Sequence, residues 1–148
     1  LTLSDLTPHF VAGRLRQGRE RDETHSWIKK LSIKTPGPEA AIGALSGGNQ
    51  QKVMFGKALR LTPKVLLLAE PTQGIDIGAK DQIHSLIDDA AKDGAAVFVA
   101  STDTDELVRL CHRVLVIVDG QIVDEIKGGD ISAEKIEHTQ LQTSRRSA

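Results

Sequence analysis

The sequence predicts an α/β fold with a mainly parallel sheet. Two short apolar runs, Val65 to Leu68 and Ala95 to Ala100, have the composition of strands that are buried on both faces. Between them, residues 77–92 carry apolar side chains at helical spacing. Strand, helix and strand in this order are typical of a parallel sheet with connecting helices.

Before the first of these strands, the sequence pattern indicates helices and no strand. A helix is expected over Arg19 to Leu31, and the turn cluster TPGP at residues 35–38 ends it. Ser46 fits an N-cap, and its helix is expected to run to about Leu61, where a Thr-Pro pair stops it.

Five further elements are predicted beyond residue 100. They are a short helix over Asp103 to Leu110, a third strand over Arg113 to Val118, a hairpin turn at Asp119-Gly120, a returning strand over Gln121 to Ile126, and a last helix over Ala133 to His138. The terminal residues TSRRSA are expected to be disordered. We therefore predict three regions: a helical subdomain at 1–62, an α/β core at 63–130, and a terminal helix with its tail at 131–148.

The composition excludes several classes of protein. The chain has 148 residues, 26% of them charged, and a formal net charge of −1, so it has no general attraction to nucleic acid or acidic lipid. Cys111 is the only cysteine, which excludes an internal disulfide framework. No apolar run approaches the roughly 20 residues of a membrane span. The chain begins without methionine, and we expect it to be a piece of a longer protein.

The stretch LSGGNQQK at residues 45–52 is a candidate anion site. Ser46, Gly47 and Gly48 can leave backbone N–H groups unpaired at the positive end of a helix, and glycines let a phosphate approach closely. Asn49 and Gln50 add neutral donors. On these residues alone, a plain N-cap with a glycine turn is the favoured interpretation.

A second group of candidates follows the predicted strands. The loops after Leu68 and Ala100 should lie at the same edge of a parallel sheet, where ligands bind. Glu70 could orient or deprotonate a water there, although a solvated acid in a turn is an equally good interpretation. Asp76 is adequately explained as the cap of the next helix. The five histidines have no spacing that indicates a metal site.

Taken in order, these segments resemble the ABC ATPase domain, a P-loop NTPase. LSGGNQQK resembles the signature motif, VLLLAEPT the Walker B strand and GID at 74–76 the D-loop, while Ser101-Thr102-Asp103 stands where the switch histidine loop would be. The resemblance runs from Leu1 to about Gly129. NQQK, GIDIGAK and the S-T-D triplet are similar to the second ATPase half of simple-sugar importers of the ribose, xylose and galactose type, which carry two halves in one polypeptide.

The sequence departs from that family pattern at three points. It contains no G-x-x-x-x-G-K-[ST] phosphate loop, the Walker A motif, which we expect to precede this segment. Ala69 stands where the family has the Walker B aspartate that helps to hold Mg²⁺, so no metal ligand is predicted here. Thr102 stands at the switch histidine position and cannot act as an imidazole. Glu70 is kept.

The resemblance implies a division of labour between two ATP sites. Residues Ser46 to Gln50 would contact, in trans, an ATP bound by the other ATPase half, with Asp76 in the D-loop. Glu70 and the degenerate Thr102 would be the catalytic positions of this half's own site. The parent would use ATP and Mg²⁺, whereas the isolated chain should bind neither and should be inactive.

The resemblance also implies partners and a place in the cell. The expected partners are the other ATPase half, transmembrane permease subunits and, indirectly, a periplasmic or lipid-anchored sugar-binding protein, with no nucleic acid. The parent would be peripheral on the cytoplasmic face of a bacterial cell membrane. The isolated chain is expected to self-associate, because missing strands and helices would expose a sheet edge and apolar faces.

Two alternatives stay open at this point. The parent could be a soluble, non-transport ABC ATPase that acts on ribosomes or DNA, since such proteins also carry LSGG and EPT. Ala69 also allows a purely structural fragment whose parent has no activity.

Overall fold

Helices and strands alternate along most of the chain. The computed structural model describes residues 1–2, 5–11 and 14–144. The helices are α1 (Gln17–Lys30), α2 (Gly47–Leu59), α3 (Ile77–Lys92), α4 (Thr104–Leu110) and α5 (Ala133–Ser144). The strands are β1 (Phe10–Val11), β2 (Arg14–Leu15), β3 (Val65–Ala69), β4 (Ala96–Ala100), β5 (Arg113–Val118) and β6 (Gln121–Lys127). Single 3-10 turns lie at Thr7–His9, Ile42–Ala44 and Gly128–Asp130.

Strands β3 and β4 form the parallel sheet that the sequence predicts. The Ala96 N–H donates to the Lys64 carbonyl oxygen at 2.9 Å, and the Glu70 N–H donates to the Ala100 carbonyl oxygen at 2.8 Å. Because both residue numbers rise together, the strands run in the same direction. The fold class is therefore confirmed as α/β, with a small parallel sheet of two strands in the described part of the chain.

The predicted hairpin is also present. β5 and β6 pair antiparallel, from Arg113 opposite Lys127 to Val118 opposite Gln121, with an irregularity after Val116. Asp119 and Gly120 both have positive φ, 49° and 76°, as the tight turn favoured between twisted antiparallel strands requires. β1 and β2 form a second, two-residue antiparallel ladder.

Two compact units make up the chain, one of Leu1–Leu66 with Thr72–Val97 and one of Leu67–Pro71 with Phe98–Ala148. The predicted boundaries at residues 62 and 130 stay a prediction. In the first unit α2 contacts α3. Of the apolar residues at helical spacing in α3, Ile83, Ile87 and Ala90 are buried and Leu86 is partly buried. In the second unit the core consists of Leu107, Val114, Val116, Ile126 and Ile136.

Some details differ from the sequence predictions. β3 and β4 are not buried on both faces: Leu66 is buried, but 74% of the Leu67 surface and 56% of the Phe98 surface are exposed. The described elements therefore cover only part of an apolar sheet. The last helix is longer than predicted and includes Thr143 and Ser144, which were expected to be disordered. Residues 145–148 of the predicted tail lie outside the described residues. In the described residues, each helix is too short or too polar to cross a bilayer.

Candidate functional site

The signature segment lies at the beginning of α2. Ser46 is extended (φ −63°, ψ 156°) and occupies the N-cap position, as predicted, but its hydroxyl makes no capping bond to the helix. Instead, Asn49 Nδ2 donates to Ser46 Oγ at 2.8 Å. The Ser46 side chain is exposed, and its hydroxyl proton is left for an acceptor outside the loop.

Backbone donors are concentrated in the first turn of α2. The first hydrogen bond that enters the helix runs from the Gln50 N–H to the Ser46 carbonyl oxygen at 2.9 Å. The N–H groups of Gly47, Gly48 and Asn49 precede it and have no acceptor within an α-helix. With no serine cap either, these donors and the positive end of the helix dipole suit an anion.

The two amide side chains fix the loop rather than extend from it. The Asn49 Oδ1 atom accepts the Lys34 N–H at 2.8 Å, while its nitrogen donates to Ser46. Gln50 Nε2 donates to the Leu45 carbonyl oxygen at 2.8 Å. In this structure, both side-chain amides already donate hydrogen bonds inside the loop. The contribution to anion binding that we predicted for them stays a prediction.

The two glycines of the segment have different surroundings. A Cβ atom on Gly47 would meet only the Gly74 carbonyl oxygen, at 4.0 Å, so this position is open. A Cβ atom on Gly48 would lie 3.0 Å from Ala79 Cβ, which is too close for comfortable packing. The α2–α3 contact therefore leaves little room for a side chain at Gly48, whereas position 47 is open.

Asp76 caps α3 beside the same segment. Its Oδ1 atom accepts the Ala79 N–H at 2.9 Å, and its Oδ2 atom would be 3.8 Å from a Cβ on Gly48. Capping of α3 is thus sufficient to explain the position of the Asp76 carboxylate. Its predicted role in an ATP site stays a prediction.

Lys52 is a residue of this region that the sequence predictions missed. Only 6% of its surface is exposed, and its Nζ atom donates to the Ser32 carbonyl oxygen at 3.1 Å. Burial lowers the pKa of the Lys52 ammonium, the nearby charge of Lys34 lowers it further, and Asp76 opposes them. A lysine one turn beyond two glycines reads as a solvated charge, so the sequence carried no signal of its burial.

Three hydrogen bonds within the second unit hold the backbone and the carboxylate of Glu70. Its backbone is left-handed (φ 47°), and its N–H donates to the Ala100 carbonyl oxygen at 2.8 Å. The Thr102 N–H donates to Glu70 Oε1 at 2.8 Å, and Ser101 Oγ donates to Glu70 Oε2 at 3.4 Å. The predicted meeting of the two loops at one sheet edge therefore brings Glu70 and the Ser101-Thr102 pair together. A non-glycine residue in the left-handed region is uncommon, and such strain clusters at functional sites.

The residues around Glu70 do not supply a magnesium site. Ala69 presents a methyl group where the family has a carboxylate, and both Glu70 oxygens accept hydrogen bonds from the next loop. Within the described residues, no cluster of three or more His, Cys, Asp or Glu could hold a metal ion.

His9 and Cys111 have structural roles. His9 is buried against Glu23 and Arg60, and Cys111 packs on the core of the second unit, where burial raises the pKa of its thiol. A thiol with a raised pKa has little thiolate and is a poor nucleophile.

Comparison with known proteins agrees with this arrangement of motifs. Residues 3–73 match the family described as "ABC transporter". The chain is 44% identical over 138 residues to the arabinose import ATP-binding protein AraG of Pseudomonas savastanoi pv. phaseolicola, covering 93% of this chain and 27% of that protein. It is 39% identical over 136 residues to the ribose import ATP-binding protein RbsA of Geobacillus kaustophilus, covering 92% and 28%.

A solved structure supports the fold. The structure of cbiO1 from Clostridium perfringens, part of the ABC transporter complex cbiONQ, is 25% identical with a TM-score of 0.64, over 90% of this chain and 54% of that chain. The fold is thus that of the P-loop NTPases of the cassette type. Residues 3–73 belong to the ABC transporter family, as the resemblance predicted. The chain spans about a quarter of the length of the curated relatives that it matches.

Proposed function

We propose that this chain is part of the ATP-hydrolysing subunit that energises import of a simple sugar. The relatives named above are import ATP-binding proteins for arabinose and ribose, and their similarity extends over more than nine-tenths of this chain. The non-transport alternative on ribosomes or DNA has no comparable support, because the net charge is −1 and these relatives are transport proteins.

The observation that carries the proposal is the open beginning of α2. Exposed Ser46 and Gly47 stand in front of backbone donors that have no acceptor within the helix, and no side chain at Gly47 blocks an anion. We assign to residues Ser46 to Gln50 the γ-phosphate of an ATP that the other ATPase half holds. The D-loop Asp76 borders the same site.

Glu70 belongs to a different ATP site in this proposal, that of the chain's own half. Its carboxylate, directed by the loop after β4, would orient the attacking water, while Thr102 stands beside it at the degenerate switch position. Magnesium, if bound in such a site, would neutralise negative charge on the phosphates. Ala69 offers no ligand for it, so this half is the weaker of the two and the isolated chain should hydrolyse no ATP.

The proposed partners follow from the transport role. They are the other ATPase half of the same polypeptide, transmembrane permease subunits and, indirectly, a sugar-binding protein outside the membrane. The subunit would lie peripherally on the cytoplasmic face of the cell membrane. ATP and Mg²⁺ would be used by the whole protein, not by this chain alone.

The proposal is tested on the full-length subunit assembled with its permease in proteoliposomes. ATP hydrolysis should rise severalfold when a simple sugar and its binding protein are added, and uptake of labelled sugar should follow hydrolysis. Hydrolysis that responds to ribosomes or DNA but not to any permease would reject the transport role. Ala69→Asp, which restores the family's aspartate, should raise the rate of ATP turnover. If neither the wild type nor this variant hydrolyses ATP, the alternative of a purely structural fragment is favoured.

Self-association of the isolated chain is part of the same proposal. Among the described strands, β3 and β4 each have one neighbour, so each has a free hydrogen-bonding edge. Their exposed side chains include Val65, Leu67 and Phe98, and neither strand carries a charge or a proline that would protect its edge.

We expect light scattering across a dilution series to give a mass above 16.0 kDa that falls on dilution. The double variant Leu67→Lys/Phe98→Lys should shift the series toward monomer. A monodisperse monomer at high concentration, with a two-state unfolding transition, would show the self-association prediction to be wrong.

A further inference from the structure

The loop after β4 contacts the Glu70 carboxylate through a main-chain N–H and a serine hydroxyl, not through the side chain at the switch position. The Thr102 N–H donates to Glu70 Oε1 at 2.8 Å, which is a short and well-formed bond. Ser101 Oγ reaches the other oxygen at 3.4 Å, a weaker contact. The bond that Thr102 makes to Glu70 needs its backbone N–H and no particular side chain.

Ser101 is itself held in place. Its Oγ atom accepts the Asp103 N–H at 3.1 Å, which leaves its proton for Glu70. Asp103 in turn caps α4, where its Oδ1 atom accepts the Glu106 N–H at 3.0 Å. The serine therefore links the capped beginning of α4 to the carboxylate.

We propose that Ser101 is a positioning residue for Glu70, acting with the main-chain N–H of Thr102. The two donors engage both carboxylate oxygens and fix the plane of the group, so that its remaining lone pairs point in a defined direction. The identity of the side chain at 102 can then change without loss of this orientation. The description of Glu70 as the water-orienting group rests on the proposed function, whereas the clamp itself does not.

Amide hydrogen exchange measured by NMR on the 148-residue chain tests the clamp without any nucleotide. The Thr102 amide should be protected in the wild type, and Ser101→Ala should speed its exchange by about three- to tenfold, the range expected for one lost hydrogen bond. Ser101→Thr keeps a hydroxyl and should restore protection. Thr102→Val keeps the N–H and should leave exchange at position 102 within about twofold after correction for side-chain effects on intrinsic exchange.

A matched control is Ser132→Ala. Ser132 Oγ also accepts a main-chain N–H, that of Lys135 at 3.2 Å, at the beginning of α5 in the same unit. Its replacement should leave Thr102 exchange unchanged. The proposal is overturned if Thr102 exchanges as fast as an unprotected amide, or if Ser101→Ala exchanges at the wild-type rate.

The kinetic arm uses the full-length subunit. In the Ala69→Asp background, Ser101→Ala should lower the turnover gained by restoring the aspartate by about tenfold with KM unchanged, Ser101→Thr should recover most of it, and Ser132→Ala should have no effect. A fall in KM and kcat together, or no recovery by threonine, would reject the positioning role. If the wild-type subunit hydrolyses no ATP, the proposed function fails, and the exchange experiment alone decides the clamp.

Discussion

The beginning of α2 and the end of β3 differ in how they hold the polar groups to which we assign a role in ATP binding. At α2 the donors are backbone N–H groups, and the segment needs glycine more than any functional side chain. At Glu70 the working group is a carboxylate, held by Thr102 and Ser101 in a strained backbone conformation. The first arrangement depends on open space in front of the backbone donors, and the second depends on the orientation of the carboxylate. Different substitutions should therefore disrupt them.

In the proposed function, only one of the two regions would be complete within this chain. A helix beginning carries its own donors, and its geometry is set by the packing of α2 on α3. A carboxylate that orients water needs a nearby metal ligand and a phosphate loop. Ala69 does not provide the former, and the sequence contains no match to the latter.

The largest expected effect is at Gly47. In the full-length subunit, Gly47→Val should reduce ATP turnover by about 100-fold or more, because a branched side chain would fill the space through which the phosphate reaches the donors. The fold should survive, since a Cβ there meets only the Gly74 oxygen at 4.0 Å. Steady-state ATPase assays and circular dichroism measure the two quantities.

Gly43→Val is the control for that substitution. Gly43 lies in the 3-10 turn just before α2, and a Cβ atom there has no neighbour within 4 Å. Its replacement should leave turnover within about twofold, as for a substitution that neither packs nor binds. Equal losses in both variants, or full activity of Gly47→Val, would contradict the role assigned to the signature segment.

The neighbouring glycine should give the opposite pattern. Gly48→Ala should lower the free energy of unfolding by about 1–2 kcal/mol, because its Cβ would lie 3.0 Å from Ala79 Cβ. Adding Ala79→Gly should recover part of that loss by opening the contact. Gly47→Ala should be neutral or slightly stabilising, as expected from helix propensity at an open position.

Urea denaturation of the wild type and the three variants decides this prediction. If Gly48→Ala is as stable as the wild type, the close packing of α2 on α3 is not what requires glycine there. No recovery in the double variant would point to another cause of the loss.

Much of this arrangement could be predicted from the sequence. Hydrophobic periodicity and turn residues placed α2, α3 and the β5–β6 hairpin, because local pattern governs those elements. The parallel pairing of β3 and β4 followed from their order. Burial of these strands was overestimated, because an apolar run does not reveal whether the same chain supplies its cover.

The contacts that fix the side chains could not be predicted in the same way. Ser101 and Lys52 act through bonds to residues 31 and 20 positions away, and a single sequence gives no signal of such pairings. The left-handed backbone at Glu70 was also invisible, because strain arises from tertiary contacts rather than from local propensity.

A smaller effect is expected at the opposite end of the signature helix. Arg60, which follows α2, donates to Glu23 at 2.6 and 3.1 Å, and this hydrogen-bonded pairing lowers the pKa of Glu23 below its ordinary value of 4.5. A carboxylate with a lowered pKa stabilises the folded state above its unfolded pKa, and the contribution is lost as the pH falls through the folded value.

The stability difference between the wild type and Glu23→Gln should therefore be largest above about pH 5 and shrink toward pH 3. It should not exceed about 1 kcal/mol, because solvent reaches the Glu23 carboxylate. Glu39→Gln is the control, since Glu39 is exposed and pairs only distantly with Arg21. A difference that is constant with pH would show that the ion pair does not contribute in this way.

Nucleotide binding by the isolated chain tests the central claim most directly, namely that its signature segment serves an ATP held by another half. We predict that calorimetric titration with ATP shows no saturable binding up to about 1 mM, a limit that corresponds to roughly −4 kcal/mol. Adding Mg²⁺ should change nothing, because Ala69 supplies no ligand. Binding with micromolar affinity, with or without Mg²⁺, would contradict the account.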